Sequence, residues 1–412
     1  MLKATLRLLR AVPFIATVIL ASCGTQPRGP AVPEDLGSSA VVLNNPAARS
    51  WDDDLNEAFL NEVMAASQRE LDRTRAADGS LGPVNFLAIS GGGSDGAFGA
   101  GLLSGWSSAG NRPEFKVVTG VSTGALTAPF AFLGPKYDEK LRRVYTTVVS
   151  NDIFRSRGII AGFFNDALFD TAPLRRLMQS LIDEEMMRDI AQEYQRGRLL
   201  FIGTTNLDAD RGVVWNIGTI AASGEPGALK LIHDVLMASA AIPAGFPPIM
   251  IDVEAEGKRY QEMHVDGGTK SQVFLYPPSL DLVSQFRRSG VQRERHAYII
   301  RNARFKPDWE QVPRRTLSVA ARSISTLIRT QGIGDLYQIY MISRRDNVDF
   351  NLAYIPDSFA ERPNDFFDPV YMTKLFDLGY RKAAAGFEWS KVPPGWVDGM
   401  DLETPMIEVP HN

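Results

Sequence analysis

The chain has one cysteine, Cys23, and four histidines in 412 residues. A single thiol forms no intrachain disulfide, so a chain of this length draws its stability from packing. No Cys-x-x-Cys or His-Glu-x-x-His spacing occurs, which argues against a zinc site. Basic residues (44) and acidic residues (48) nearly balance. There is no basic run, and aromatics do not interleave with Lys or Arg, so nucleic acid is not an expected partner. Internal repeats are missing. The apolar stretch Ala11 to Ala21 is too short to cross a bilayer of roughly 30 Å as a helix. What is present is ordinary for a globular protein, at 44% hydrophobic and 22% charged residues.

Lys3, Arg7 and Arg10 precede that apolar stretch, the order of a secretory leader. It ends in Leu20-Ala21-Ser22-Cys23, which resembles the lipobox of bacterial lipoproteins. Taken alone, the residues also fit an ordinary signal peptide followed by an incidental cysteine. The lipobox resemblance implies a leader over residues 1–22 and lipidation of Cys23. Because Gly24, not an aspartate, follows, the sorting rule of those lipoproteins implies attachment at the outer membrane of a bacterial cell envelope. Residues 23–50, rich in Pro, Gly, Ser and Ala, read as a flexible tether. Within 51–83, Leu55, Phe59, Val63 and Leu71 repeat at helical spacing, and Gly79 to Pro83 closes the pattern.

From Val84 onward, short apolar runs alternate with helical patterns. Val84 to Ile89, Phe115 to Thr119, Leu199 to Thr205, Gly212 to Ile217, Tyr260 to Val265, His296 to Arg301 and Val348 to Ile355 read as strands. Ala97 to Leu103, Ala125 to Leu133 and His233 to Ala241 read as helices. This alternation predicts an α/β fold with a mixed sheet. The catalytic domain is expected over 84–385, followed by a C-terminal tail over 386–412.

Two strand ends carry Gly-x-Ser-x-Gly. In Gly120-Val121-Ser122-Thr123-Gly124 the serine lies between a strand and a helix, where flanking glycines relieve a sharp turn and the hydroxyl projects. In Gly92-Gly93-Ser94-Asp95-Gly96 the same spacing makes Ser94 a rival. With 35 glycines in the chain, one such match is weak evidence. Three consecutive glycines suit a different task, since bare backbone N–H groups can crowd around an oxyanion. The same glycines fit a dinucleotide-binding spacing, but the next strand ends in Thr119-Gly120 without the acid that such a unit wants. A phosphate loop would need Gly-Lys-Ser/Thr, and Ala97 follows Gly96. Asp266, at a strand end before Gly267 and Gly268, is either a candidate base or a turn former.

In order, the glycine loop, the Ser122 motif, Ala238 to Pro248 (Ala-Ser-Ala-Ala-Ile-Pro-Ala-Gly-Phe-Pro-Pro) and Asp266-Gly267-Gly268 resemble the patatin-like phospholipases. The resemblance implies a three-layer α/β/α sandwich with a central mixed, mainly parallel sheet. It also implies a Ser–Asp dyad with no catalytic histidine. Ser122 is then the nucleophile and Asp266 the base, while Gly91, Gly92 and Gly93 line the oxyanion hole. Neither a metal nor an organic cofactor is implied. The expected partner is a membrane lipid or lipid-like ester, hydrolysed in the manner of a phospholipase A or lysophospholipase. One position departs from the family, which often carries Arg or Lys where this chain has Asp95; that puts phospholipid preference in question. A histidine triad would place His296 or His411 after the acid, and His264, two residues before Asp266 on the same strand, is a candidate to tune it. Two other readings stay open: a serine esterase or thioesterase on non-phospholipid substrates, and a non-catalytic envelope lipoprotein.

Overall fold

The computed structural model describes residues 26–74, 81–157, 166–278, 280, 293–307 and 309–396. The leader, Cys23 and His411 lie outside the described residues.

The apolar runs form the strands of one sheet. β1 is Arg49–Trp51, β2 Val84–Ile89, β3 Val117–Gly120, β6 Leu199–Asn206 and β7 Arg211–Asn216. β8 is Ile249–Ala255, β9 Lys258–Asp266, β10 Arg295–Arg301 and β11 Asp349–Tyr354, while β4 (Arg155–Ser156) and β5 (Phe169–Asp170) pair separately. The order is β1-β7-β6-β3-β2-β10-β11, with β9 joined to β6 and β8 to β9. From β6 to β11 this path is parallel, whereas β1, β7, β8 and β9 add antiparallel pairs. All six residues of β2 are buried, as a parallel strand covered on both faces requires.

The helices are α1 (Glu57–Thr74), α2 (Gly96–Ser108), α3 (Thr123–Leu133), α4 (Asp138–Thr147), α5 (Ser150–Ile153), α6 (Ala172–Leu181), α7 (Glu184–Gln195), α8 (Ile217–Ala221), α9 (Ala228–Ser239), α10 (Thr316–Arg345) and α11 (Pro369–Ala384). Alternation along the strands separates two cores. Leu87, Ile89, Val118 and Ile202 face α2, α3, α9 and α11. Phe86, Ala88, Val117 and Phe201 face α1 and α10. The result is a mixed, mainly parallel sheet between two helical layers, the sandwich that the motifs imply. Small residues let α2 and α11 meet backbone to backbone: a Cβ on Gly101 would lie 2.0 Å from the Phe376 carbonyl oxygen, and one on Gly105 would lie 2.2 Å from that of Tyr380.

Two segments depart from expectation. The region read as a flexible tether, 23–50, is docked from Arg28 onward. Arg28 pairs with Asp208 at 2.7 Å, and Val41 and Glu254 exchange backbone hydrogen bonds of 2.9 Å. Ala40, Val42 and Ala48 are buried. The Arg49 guanidinium binds the buried Glu262 carboxylate and lies 5.5 Å from the Trp51 ring and 5.7 Å from the Trp215 ring. The β8–β9 hairpin thus supplies an edge and a buried ion pair that hold the segment. Trp51 consequently belongs to β1, and the helix expected to follow it starts at Glu57. The expected tail also belongs to the body up to Trp396. Ser390 and Leu352 exchange backbone hydrogen bonds, Trp389 packs 4.9 Å from Trp106, and Trp396 packs 4.9 Å from Tyr340.

Candidate active site

The two candidate catalytic residues arrive at one edge of β6. Its first half, Leu199 to Ile202, pairs with β3, which ends at Gly120; its last three residues, Thr204 to Asn206, pair with β9, which ends at Asp266. Gly203 lies between the two pairings, so the chain leaving β3 meets the chain completing β9 there.

Ser122 has φ 55° and ψ −126°, a left-handed conformation that throws its hydroxyl out of the turn before α3. The turn needs bare neighbours. A Cβ on Gly120 would come within 2.5 Å of the Gly124 carbonyl oxygen, and one on Gly124 within 2.2 Å of that of Ile89. The Ser122 N–H donates to Ser239 Oγ at 3.0 Å, and that hydroxyl donates onward to the Gly203 carbonyl at 2.7 Å. Ser239 is the last residue of α9 and lies in the block from Ala238 to Pro248, so this block clamps the turn. Ser239→Ala leaves a buried N–H and a buried carbonyl without their partner, at a cost of about 1–3 kcal/mol. Its expected outcome is a lower melting temperature and a drop in ester turnover, with Ser122 still labelled by a fluorophosphonate. Unchanged stability and turnover would refute the clamp.

Asp266 is 5% exposed. The Ser122 side chain lies beside its carboxylate, and Oδ1 accepts the Gly268 N–H at 2.7 Å. Burial pushes its pKa up to about 6, while the Ser122 hydroxyl and the Gly268 N–H pull the other way. At neutral pH the group is therefore mainly ionised, yet a stronger base than an ordinary carboxylate.

The glycine loop approaches from β2. A Cβ on Gly91 would lie 3.1 Å from the Ser122 Cβ, which places Gly91 against the serine. Its N–H, however, donates to the Gln272 carbonyl at 3.0 Å. This corrects the expectation that all three glycines offer donors, because an N–H already bound to a carbonyl cannot also serve an oxyanion. Gly92 and Gly93 carry no N–H hydrogen bond among the described residues. Asn302, buried just after β10, fixes the loop: its side chain donates to the Ser90 carbonyl and accepts from the Gly99 N–H, each at 3.0 Å. Gln272 is held in turn by Asp335, which accepts its N–H at 2.6 Å.

Ser239, Asn302, Gln272 and Asp335 carry no motif of their own in the sequence. Only Ser239, inside the Ala238 to Pro248 block, and Asn302, directly after an apolar strand, had a positional signal. The rival Ser94 sits in a short turn, and its hydroxyl bonds to no carboxylate or imidazole among the described residues. Asp95, the departure from the family pattern, accepts a 2.5 Å hydrogen bond from the Tyr371 hydroxyl of α11. An acid there anchors α11 to the loop, and a cation could not accept that bond.

No histidine among the described residues bonds to Ser122 or Asp266. His264 is engaged by Thr204 at 2.9 Å and by Glu262 at 3.0 Å, so it does not tune Asp266 by contact. His296 pairs with Asp349 at 3.1 Å, at the far end of β10.

A comparison with curated proteins finds no match. Among solved structures the chain is similar to VipD from Legionella pneumophila, at 12% identity and a TM-score of 0.35, covering 76% of this chain and 69% of that one. Residues 87–277 match the family model described as patatin-like phospholipase. That span holds the glycine loop, the Ser122 turn, Ser239 and Asp266. Residues 87–277 are thus a patatin-like phospholipase domain, a family whose members imply lipid acyl hydrolysis.

Proposed function

We propose that the chain is a lipid acyl hydrolase working through Ser122 and Asp266. The observation that carries this reading is a hydroxyl on a left-handed turn set beside a carboxylate that burial has made more basic. Ser122 Oγ attacks the ester carbonyl carbon while Asp266 takes the hydroxyl proton. The carbonyl oxygen becomes an oxyanion facing the N–H groups of Gly92 and Gly93, a role typically worth about 3 kcal/mol per donor. Collapse expels the alcohol with the proton from Asp266 and leaves an acyl-serine. Water then donates a proton to Asp266 and attacks the acyl carbon; collapse breaks the bond to Ser122 Oγ, which takes that proton back from Asp266 as the fatty acid leaves.

In this reading Cys23 carries a lipid that tethers the domain to the cell envelope, with the outer membrane as its expected location. Among the described residues no helix is long and apolar enough to cross a membrane. The lipid anchor would keep the site near its substrate. A series of esters of one alcohol with acyl chains from acetyl to palmitoyl separates lipid hydrolysis from general esterase or thioesterase action. Turnover relative to substrate concentration is expected to rise with chain length and to rise again when the long ester is presented in vesicles. A profile that peaks at acetyl or butyryl would overturn the lipid assignment and favour a short-chain esterase.

A further inference from the structure

On the sheet face away from α3, a narrow cavity of about 100 Å³ lies between α1 and the strands. Its walls are almost wholly apolar. Leu55 just before α1, Phe59 and Val63 on it, and Phe86, Val117 and Phe201 from the sheet line it. From Phe59 to Leu71 the lining positions of α1 run about 18 Å along the helix. The amphipathic stripe of α1 thus roofs a long, narrow space.

One end of the cavity is charged. Lys116 immediately precedes β3 and Arg293 lies just before β10, so both sit at the strand ends opposite the Ser122 turn. They share one carboxylate. Arg293 holds Glu70 through two contacts of 2.9 and 3.0 Å, while Lys116 Nζ is 3.4 Å from it and 3.3 Å from the Ala66 carbonyl. The Arg293 side chain is 3% exposed, and its Nε has no hydrogen-bond partner among the described residues. The neighbouring cation, Arg69, is matched by Glu62 at 2.8 Å. Among the described residues two buried cations thus face one acid, an excess positive charge that is costly in such surroundings unless an anion joins it. One carboxylate would supply that charge, and apart from Ser67 and Tyr276 the rest of the cavity wall is apolar. The other end is closed by Phe274, whose ring would lie 3.0 Å from a Cβ on Gly203, behind the candidate active site.

We propose that this cavity is a binding site for a single-chain fatty acid, its carboxylate between Lys116 and Arg293 and its tail running under α1 toward Phe274. The site is separate from Ser122, and the proposal stands or falls independently of the hydrolytic reading.

Titration calorimetry of the full chain with laurate, and with dodecanol as an uncharged chain of equal length, tests it. Laurate is expected to bind one to one, and Lys116→Met to weaken it by about tenfold or more through loss of a charge-assisted contact. Val63→Trp, which fills the cavity, is expected to abolish laurate binding while leaving hydrolysis of a short ester unchanged. Melting curves verify that both variants are folded, and if Lys116→Met is not, Val63→Trp alone decides. Equal affinity for dodecanol would overturn the assignment of the charged end. Undiminished laurate binding to Val63→Trp would place the ligand elsewhere, the Ser122 site included, and overturn the proposal. Absence of laurate binding would reduce the cavity to a loosely packed helix–sheet contact.

Discussion

Ser122→Ala is expected to lower ester turnover by about 10⁴- to 10⁶-fold while the protein stays folded. The size follows from the mechanism: without Oγ there is no acyl-enzyme route, and what remains is whatever the glycine N–H groups and binding contribute to direct attack by water. The folded state should tolerate the change well. Alanine keeps the Cβ, so the strain of φ 55° is unaltered, and the position is buried at 7% exposure without a side-chain packing role. Asp266 loses the neighbouring hydroxyl that helps hold its pKa down, so its carboxylate becomes harder to ionise. Turnover and fluorophosphonate labelling, measured on a variant with an unchanged melting temperature, check the prediction. Retained turnover would refute the nucleophile. Loss of turnover with Ser94→Ala, with Ser122→Ala remaining active, would transfer the role to the rival motif.

Much of this site can be read in the chain because its chemistry forces local signals. A serine that must project needs glycines on both sides, and Gly120 and Gly124 are there because carbonyls occupy the space of a Cβ. The β2 boundaries, Val84 and Ile89, coincide with the apolar run because the strand is buried on both faces. Backbone donors leave no such trace. Gly91, Gly92 and Gly93 are chemically alike in sequence, and only the Gln272 carbonyl, brought in from a distant segment, takes Gly91 out of service. The segment after Cys23 misled for a similar reason. Its Pro, Gly, Ser and Ala content fits a tether equally well whether or not an edge awaits it, and that edge is the β8–β9 hairpin with Glu254 and Glu262. The helix α11 did carry a readable start. Asp368 accepts the N–H groups of Val370 and Tyr371, and Pro369 occupies the first turn, a pattern that needs no tertiary contact. The long α10 offered less, because half of its surface faces water and its apolar residues do not keep to one stripe.

Asp266→Asn is expected to change activity and stability in opposite directions. Turnover should fall by about 10²- to 10⁴-fold, the usual contribution of a positioned base, because an amide takes no proton from Ser122. Stability should rise. The folded carboxyl titrates at about 6, against a model value of 3.8. The native state therefore holds this proton more tightly than the unfolded chain does. Its stabilising share is fully present below the unfolded pKa and is lost as pH climbs through about 6. Above that, the buried charge costs on the order of 3 kcal/mol. Asparagine removes the charge and still accepts from the Gly268 N–H, so the variant should melt several degrees above wild type at pH 7.5. The gap should close between pH 6 and pH 4, where wild type regains its proton. In the same window wild-type kcat/KM should fall about tenfold per pH unit once the base is protonated, while the residual activity of the variant stays flat. An aspartate serving only the turn before Gly267 would behave differently: its replacement would lower activity and melting temperature together, with no pH at which the two proteins converge. Opposite signs at neutral pH, converging in acid, are what a base held at the expense of folding must produce.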